Sequence, residues 1–364
     1  MKNMLGISIL LALAASEAAA QDVIRYKDGT PDQDCEIVAL NYRQVDYDIV
    51  VGNKVRQQAD SKKVSEIIVD RNQSTFEFNQ ASTAMDGGAW DDAIDKFERV
   101  KRDPRARDLL KQTAAINIVR CQYAKDSSQG CLASIQSLRQ AKPDSFYYLE
   151  SAQYEIKACL AKGDVSGAQA AVNALQAKGN SENMPDWAKA ADVLSGSLLE
   201  LQKKWREALT IYRKYQTDKD AGDDAKMGEL RCLKETADWA GLSVRSEAIM
   251  GELRNRKVPN DRLSTSAYNA HGEVNLNGGK IKEALLDFMQ GVTVFSRSGA
   301  SREHEASLGR AGYTCTRIAL KETDPAKKSL FKQRALDLRS DLERQYGKNS
   351  PFLQELVKGI QEVK

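Results

Sequence analysis

Gly88-Ala89-Trp90-Asp91-Asp92-Ala93-Ile94, followed by Phe97, is the first of a set of related segments. Gly163-Asp164-Val165-Ser166-Gly167-Ala168 is followed by Val172, and Lys204-Trp205-Arg206-Glu207-Ala208-Leu209 by Tyr212. Gly279-Lys280-Ile281-Lys282-Glu283-Ala284-Leu285 is followed by Phe288. Their alanines are separated by 75, 40 and 76 residues, so two gaps are nearly double the third. Hidden copies are therefore expected near 131 and 246, where Cys131-Leu132-Ala133-Ser134-Ile135 and Ser246-Glu247-Ala248-Ile249-Met250 stand. The anchors Ala93, Ala133, Ala168, Ala208, Ala248 and Ala284 then advance by 40, 35, 40, 40 and 36 residues. A fixed period of this length marks a small unit that buries its apolar face only by stacking on its neighbours.

The pattern resembles the tetratricopeptide repeat family. That resemblance implies two antiparallel helices per unit, a small residue on each helix where they cross, and a right-handed superhelical α-solenoid. Gly196 and Gly272 lie twelve residues before their alanines, where the family places its small first-helix residue. Trp90, Trp205 and Ile281 supply the bulky side chain at the turn. Cys121, Ile156 and Thr236 depart from the small residue expected, and Glu252 from an apolar one. The resemblance spans about seven degenerate units over 72–347, the seventh stretched and beginning near Arg302. Ser350-Pro351 opens a last helix carrying Phe352, Leu353, Leu356 and Ile360, and 348–364 is expected to cap the stack, because a terminal repeat needs a cover.

Ahead of the repeats, residues 21–71 read as β structure. Asp28-Gly29 is a hairpin-type turn after Val23-Ile24-Arg25-Tyr26. Val45, Tyr47 and Ile49 alternate with Asp46 and Asp48, the period of a half-buried strand. Gly52-Asn53 offers another turn, and Val64 to Val69 is a final apolar run. Five short strands predict a small barrel-like domain, which resembles the SH3-like or Sm-like modules at the front of some exported bacterial repeat proteins. Residues 1–20 have the form of a cleaved secretory signal: Lys2, an apolar run from Met4 to Ala15, then Ala18-Ala19-Ala20 before Gln21. The run is too short to span a bilayer, and no cysteine follows it closely, so neither membrane insertion nor a lipoprotein anchor is expected. The mature chain is expected in the periplasm or secreted.

Lys and Arg total 54 against 51 Asp and Glu, a net charge of +3 over 364 residues, which is no nucleic-acid footprint. The six cysteines are scattered; Cys121 and Cys131 are closest in sequence and form the candidate disulfide, with Cys159 able to compete for either. Two histidines leave little for metal or triad chemistry. His304-Glu305 begins like a zinc-protease helix, but Leu308 stands where the second histidine belongs. Asp218, Asp220 and Glu229 resemble a calcium loop with its glycine one place early, at Gly222. Asp91, Asp92 and Asp95 fit a helix start as well as acid–base work. No phosphate, dinucleotide or nucleophile-elbow motif occurs. The expectation is a chain without catalysis, cofactor or metal.

Such arrays bind segments of other proteins along the face of the first helices. The register places Gln122, Gln153, Lys157, Asn269, Glu273 and Asn277 on that face, with no Asn beside Lys157 to complete a terminal-carboxylate clamp. The expected function is an exported scaffold or adaptor for envelope or secreted proteins. The alternative is a module that binds glycan or peptidoglycan.

Overall fold

The computed structural model describes residues 22–51, 53–70, 75–125, 127–256, 260–295, 301–348 and 350–363. The expected signal segment, the turn residue Gly52 and the 71–74 boundary lie outside them. The chain divides into two compact units, one ending at Tyr154 and the other beginning at Glu155.

In the first unit, strands β1 (Asp22–Tyr26), β2 (Gln33–Leu40), β3 (Gln44–Val51), β4 (Asn53–Asp60) and β5 (Val64–Ile68) form one antiparallel sheet of order β4-β3-β2-β1-β5. The five expected strands are present and the sheet is not closed: β4 and β5 are its two edges. Gly29 takes φ +84° in the β1–β2 turn, as the Asp28-Gly29 pair requires. Val45 and Tyr47 turn into a core with Ile24, Cys35, Ile37, Leu40 and Ile67.

Helices α1 (Phe76–Asp86), α2 (Trp90–Arg102), α3 (Asp108–Ala124) and α4 (Ser128–Ala141) follow, and the unit ends inside α5 (Tyr148–Ala161). The sheet is no detached bead. Leu109 of α3 completes its core, and Phe146 packs against it. Gln112 donates to Leu40 O (3.2 Å) and accepts from Ser145 Oγ (2.8 Å) and Phe146 N (3.0 Å). Asp22 is fully buried, accepting from the backbone of Ile37 and Asp70 and from both terminal nitrogens of Arg107 (2.8 and 3.1 Å).

The second unit continues with α6 (Val165–Ser181), α7 (Pro185–Leu201), α8 (Trp205–Tyr215), α9 (Gly222–Glu235) and α10 (Trp239–Arg254). It ends with α11 (Asp261–Asn277), α12 (Ile281–Thr293), α13 (Arg302–Lys321), α14 (Pro325–Tyr346) and α15 (Leu353–Glu362). The helices α1–α2, α3–α4, α7–α8, α9–α10, α11–α12 and α13–α14 pair as hairpins, and α15 packs on both α13 and α14, where a cap was expected. Phe352 and Leu356 of the cap occupy the space over Gly309 and Gly312.

Five hairpin turns, at 87–89, 162–164, 202–204, 236–238 and 278–280, share one geometry. The middle residue (Gly88, Gly163, Lys203, Ala237 or Gly279) has φ between +54° and +77°. The third residue donates its N–H five residues back, as in Ala89 to Ala84 O (2.8 Å) and Asp238 to Leu233 O (2.9 Å), which is a Schellman ending. The recurrent glycine of the sequence pattern is this left-handed position.

The repeat register is set four residues after each cap. Ala93, Ala168, Ala208 and Ala284 are fully buried there, but Ala133 and Ala248 are exposed. Their places are taken by Cys131 and Leu242, both fully buried. The spacing argument misplaced copies two and five because it required alanine; a thiol or a leucine fills the same crossing when the partner helix allows.

Candidate interaction surface

The corrected register aligns one position on every first helix. It holds Arg120, Lys157, Ser197, Arg231 and Glu273 in successive units. Arg120 clamps Glu150 of α5 with Nε and Nη2 at 2.7 and 2.8 Å. Arg231 clamps Glu200 of α7 with two bonds of 2.8 Å. Glu273 of α11 accepts from Arg310 of α13 (2.7 Å) and pairs with Lys234 of α9 (3.0 Å), while Arg310 also reaches Glu355 of α15 (2.9 Å). Ion pairs thus join neighbouring first helices, with the Glu200 and Glu273 carboxylates largely withdrawn from water. Breaking such a partly buried pair leaves an uncompensated charge, so these residues hold the stack in register.

The six residues expected on the face fall in different surroundings. Glu273 is 8% exposed and committed to Arg310 and Lys234. Asn269 donates to Glu303 O (2.8 Å) and accepts from Ser307 Oγ (2.7 Å), so it too binds α13. Gln122 lies over Gly130 at the start of α4, two residues beyond the aligned position that Arg120 occupies. Gln153 and Lys157 are half-buried on α5, and Asn277 is exposed at the end of α11. Tyr123, 37% exposed, packs edge-on against Tyr154 with centroids 5.2 Å apart. Sequence reasoning missed Arg120, Arg231 and Arg310; the signal was present, because caps at Ser127 and Asp238 fix the register better than the alanines do.

The acidic clusters have structural partners. Asp91, Asp92 and Asp95 pair with Lys125, Lys96 and Arg99. Asp218 accepts from Asp220 N and Ala221 N (3.0 Å each), making the turn that enters α9, and pairs with Lys189 at 2.9 Å. Beside it, a cavity of about 490 Å³ is lined by Gln216, Asp223, Lys226, Arg245, Glu252 and Arg256, among others. Its charges neutralise one another: Lys226 meets Glu252 (2.5 Å) and Arg256 meets Asp223 (2.7 Å). His271 Nδ1 contacts Asp287 Oδ2 at 2.9 Å, and burial holds the Asp287 carboxyl above its ordinary range despite Asn275. His304 bonds Tyr346 OH at 2.9 Å. Among the described residues no three His, Cys, Asp or Glu side chains converge as a metal-holding group. No helix there is long and apolar enough to cross a membrane.

All six cysteines are buried free thiols. Cys121 packs with Phe97, Leu110 and Ala114, and Cys131 fills the crossing described above. Cys121 and Cys131, the candidate pair, are not bridged, and each sulfur serves as a small core group.

No protein-family model and no curated protein matches the sequence. Among solved structures, a tetratricopeptide repeat protein from Parabacteroides merdae is 15% identical, covering 78% of this chain and 97% of its own, with a TM-score of 0.48. The pilF protein of Pseudomonas aeruginosa is 13% identical over 68% of this chain and 96% of its own, TM-score 0.40. The C-terminal part of a TPR repeat-containing protein from Cytophaga hutchinsonii is 12% identical over 77% and 99%, TM-score 0.36. At these scores the alignments carry no functional argument. The hairpins, their Schellman turns and their small-on-large crossings make the described helices an array of repeated helical hairpins, preceded in the chain by a five-stranded sheet.

Proposed function

We propose that this chain is a non-catalytic scaffold that holds other proteins together outside the cytoplasm. The observation that carries the reading is the helical hairpins themselves: within each unit ion pairs tie neighbouring first helices, and side chains such as Tyr123 and Asn277 stand exposed on them. Such arrays bind extended or helical segments without chemistry of their own. Export rests on Lys2, the apolar run from Met4 to Ala15 and the alanines before Gln21. Intact mass of the protein from the cell envelope tests this directly: loss of the first 20 residues supports export, and a full-length mass in the cytosol refutes it.

The scaffold reading is tested by crosslinking the native protein, capturing it and identifying attached proteins. Tyr123→Ala and Asn277→Ala are the informative variants, each used alone, because neither side chain carries an inter-helix ion pair; Asn269 and Glu273 would loosen α13 instead. Defined partners lost in either variant, with unchanged circular dichroism, support the reading. Partners retained equally in both would move binding off the first helices. The exposed Tyr123 edge favours the glycan alternative, and retention on purified cell wall that vanishes in Tyr123→Ala, with no protein partner, would replace the scaffold.

A further inference from the structure

We propose that the corner where α13 turns into α14 docks on the surface of an anionic lipid bilayer. Residues 317–334 contain six cations, Arg317, Lys321, Lys327, Lys328, Lys332 and Arg334, against Glu322 and Asp324. The net charge of this short segment is +4, more than the +3 of the whole chain, so the rest of the molecule is not basic. Within this unit Arg231, Arg245, Arg256 and Arg310 each face a carboxylate. At this corner Arg317, Lys321, Lys328 and Arg334 form no ion pair with any described residue, and Lys327 approaches Asp324 only at 3.9 Å. The two local carboxylates are engaged by backbone: Glu322 accepts from Thr323 and Asp324, and Asp324 caps α14 at Ala326 N.

The corner also exposes large apolar side chains. Leu330 is 66% exposed and Leu320 38% exposed, on either side of the three-residue turn. Leu330 shares one stripe of α14 with Lys327 and Arg334, three residues before and four after it. No side chain from Pro325 to Arg334 is fully buried; Ala335 is the first. Phe331 packs on the core while Lys327, Leu330 and Arg334 are exposed, and an exposed basic corner with leucines between its charges fits a flat, negatively charged interface better than it fits a peptide, which needs a groove. This peripheral contact does not depend on the scaffold reading.

The test is co-sedimentation of the full, natively processed chain with vesicles of phosphatidylcholine alone or with one third phosphatidylglycerol. Binding is expected only to the anionic vesicles, and it should be released by salt well above the physiological range. A Lys321→Gln, Lys328→Gln, Arg334→Gln variant should bind about a hundredfold more weakly, since each charge near such a surface contributes about fivefold. Leu330→Ser should weaken binding several-fold. All four side chains are largely clear of the core, so thermal unfolding should be unchanged. A Lys203→Gln, Lys204→Gln, Arg206→Gln variant, which removes as many cations at another turn, should bind as the parent does. Equal binding to both vesicle types, or equal loss in this control, would overturn the proposal. Capture of polyglutamate by the corner without vesicle binding would overturn it in favour of an acidic protein segment.

Discussion

Gly196 and Gly272 lack side chains because Tyr212 and Phe288 occupy the space: a Cβ at either glycine would fall 2.7 or 2.8 Å from a ring carbon. Tyr212 is also pressed by Gly228 of the following hairpin, and its hydroxyl donates to Glu200. Burial, reinforced by that carboxylate, pushes the phenol far above its ordinary range, so it remains a donor. Where the second helix offers a small residue, the first helix carries the bulk: Leu230 stands at the glycine position of the hairpin whose second helix presents Ser246. We expect Gly272→Ala to cost about 1–3 kcal/mol, because overpacking a filled crossing forces the ring off its rotamer. Combining it with Phe288→Leu should cost less than the sum of the two single changes, measurable by denaturant unfolding of the four proteins. Equal, additive losses would mean that the two side chains do not compete for one space. Gly196 and Gly272 were legible in the sequence by their distance from the next alanine; Leu230 was not, because it reverses the rule it obeys.

At the scale of elements, the hairpin turns contain a correctable defect. Lys203 and Ala237 hold the left-handed conformation that Gly88, Gly163 and Gly279 hold elsewhere. A side chain in that region costs roughly 1–2 kcal/mol, offset in part by the entropy glycine loses on folding. Ala237→Gly should therefore stabilise the second unit by about 0.5–1 kcal/mol, read as a raised Tm; a fall would show that the turn relaxes around alanine. The sheet presents the opposite case. Its attachment to α3 depends on Asp22, whose carboxylate has no water to turn to, so Arg107→Met should destabilise the first unit by about 3–5 kcal/mol, followed by chemical denaturation. The alternating strands and the hairpin turn could be read from the pattern of valine, tyrosine and aspartate. The open edge could not, since pairing of β4 with β5 depends on curvature that no local pattern records. Nor could the docking of Leu109, which reads in sequence as one more apolar residue of a helix.

Over the whole molecule the six thiols follow one rule: each is sealed in a core of its own unit. Burial raises the thiol pKa from the ordinary 9.0 to about 12 for Cys35, Cys232 and Cys315, and to about 11 for Cys121. A raised thiol pKa means that the unfolded chain releases protons first as the solution becomes alkaline. The stability these groups contribute is complete below pH 9 and is lost as pH rises from 9 toward 12. Tm should thus fall above pH 9, and less steeply in Cys232→Ala, while Ellman's reagent should label no thiol in the native protein and all six in denaturant. Rapid labelling of native protein would contradict this sealing. The period was visible in the sequence because stacking imposes it on every unit. The ion pairs between first helices were not, because each joins residues some thirty positions apart, and an error of two residues in register hides the partner.

The reversal of bulk between hairpins has a consequence for how such a chain can change over generations. Arrays of this kind grow and shrink by unequal exchange, which inserts or removes a whole unit at once. Here a unit that presents tyrosine needs a glycine on its own first helix and another on its neighbour's, and a unit that presents serine needs leucine. A copied or excised unit would bring two rings, or two voids, to the new boundary. The order of these units is therefore locked by the packing at their joints.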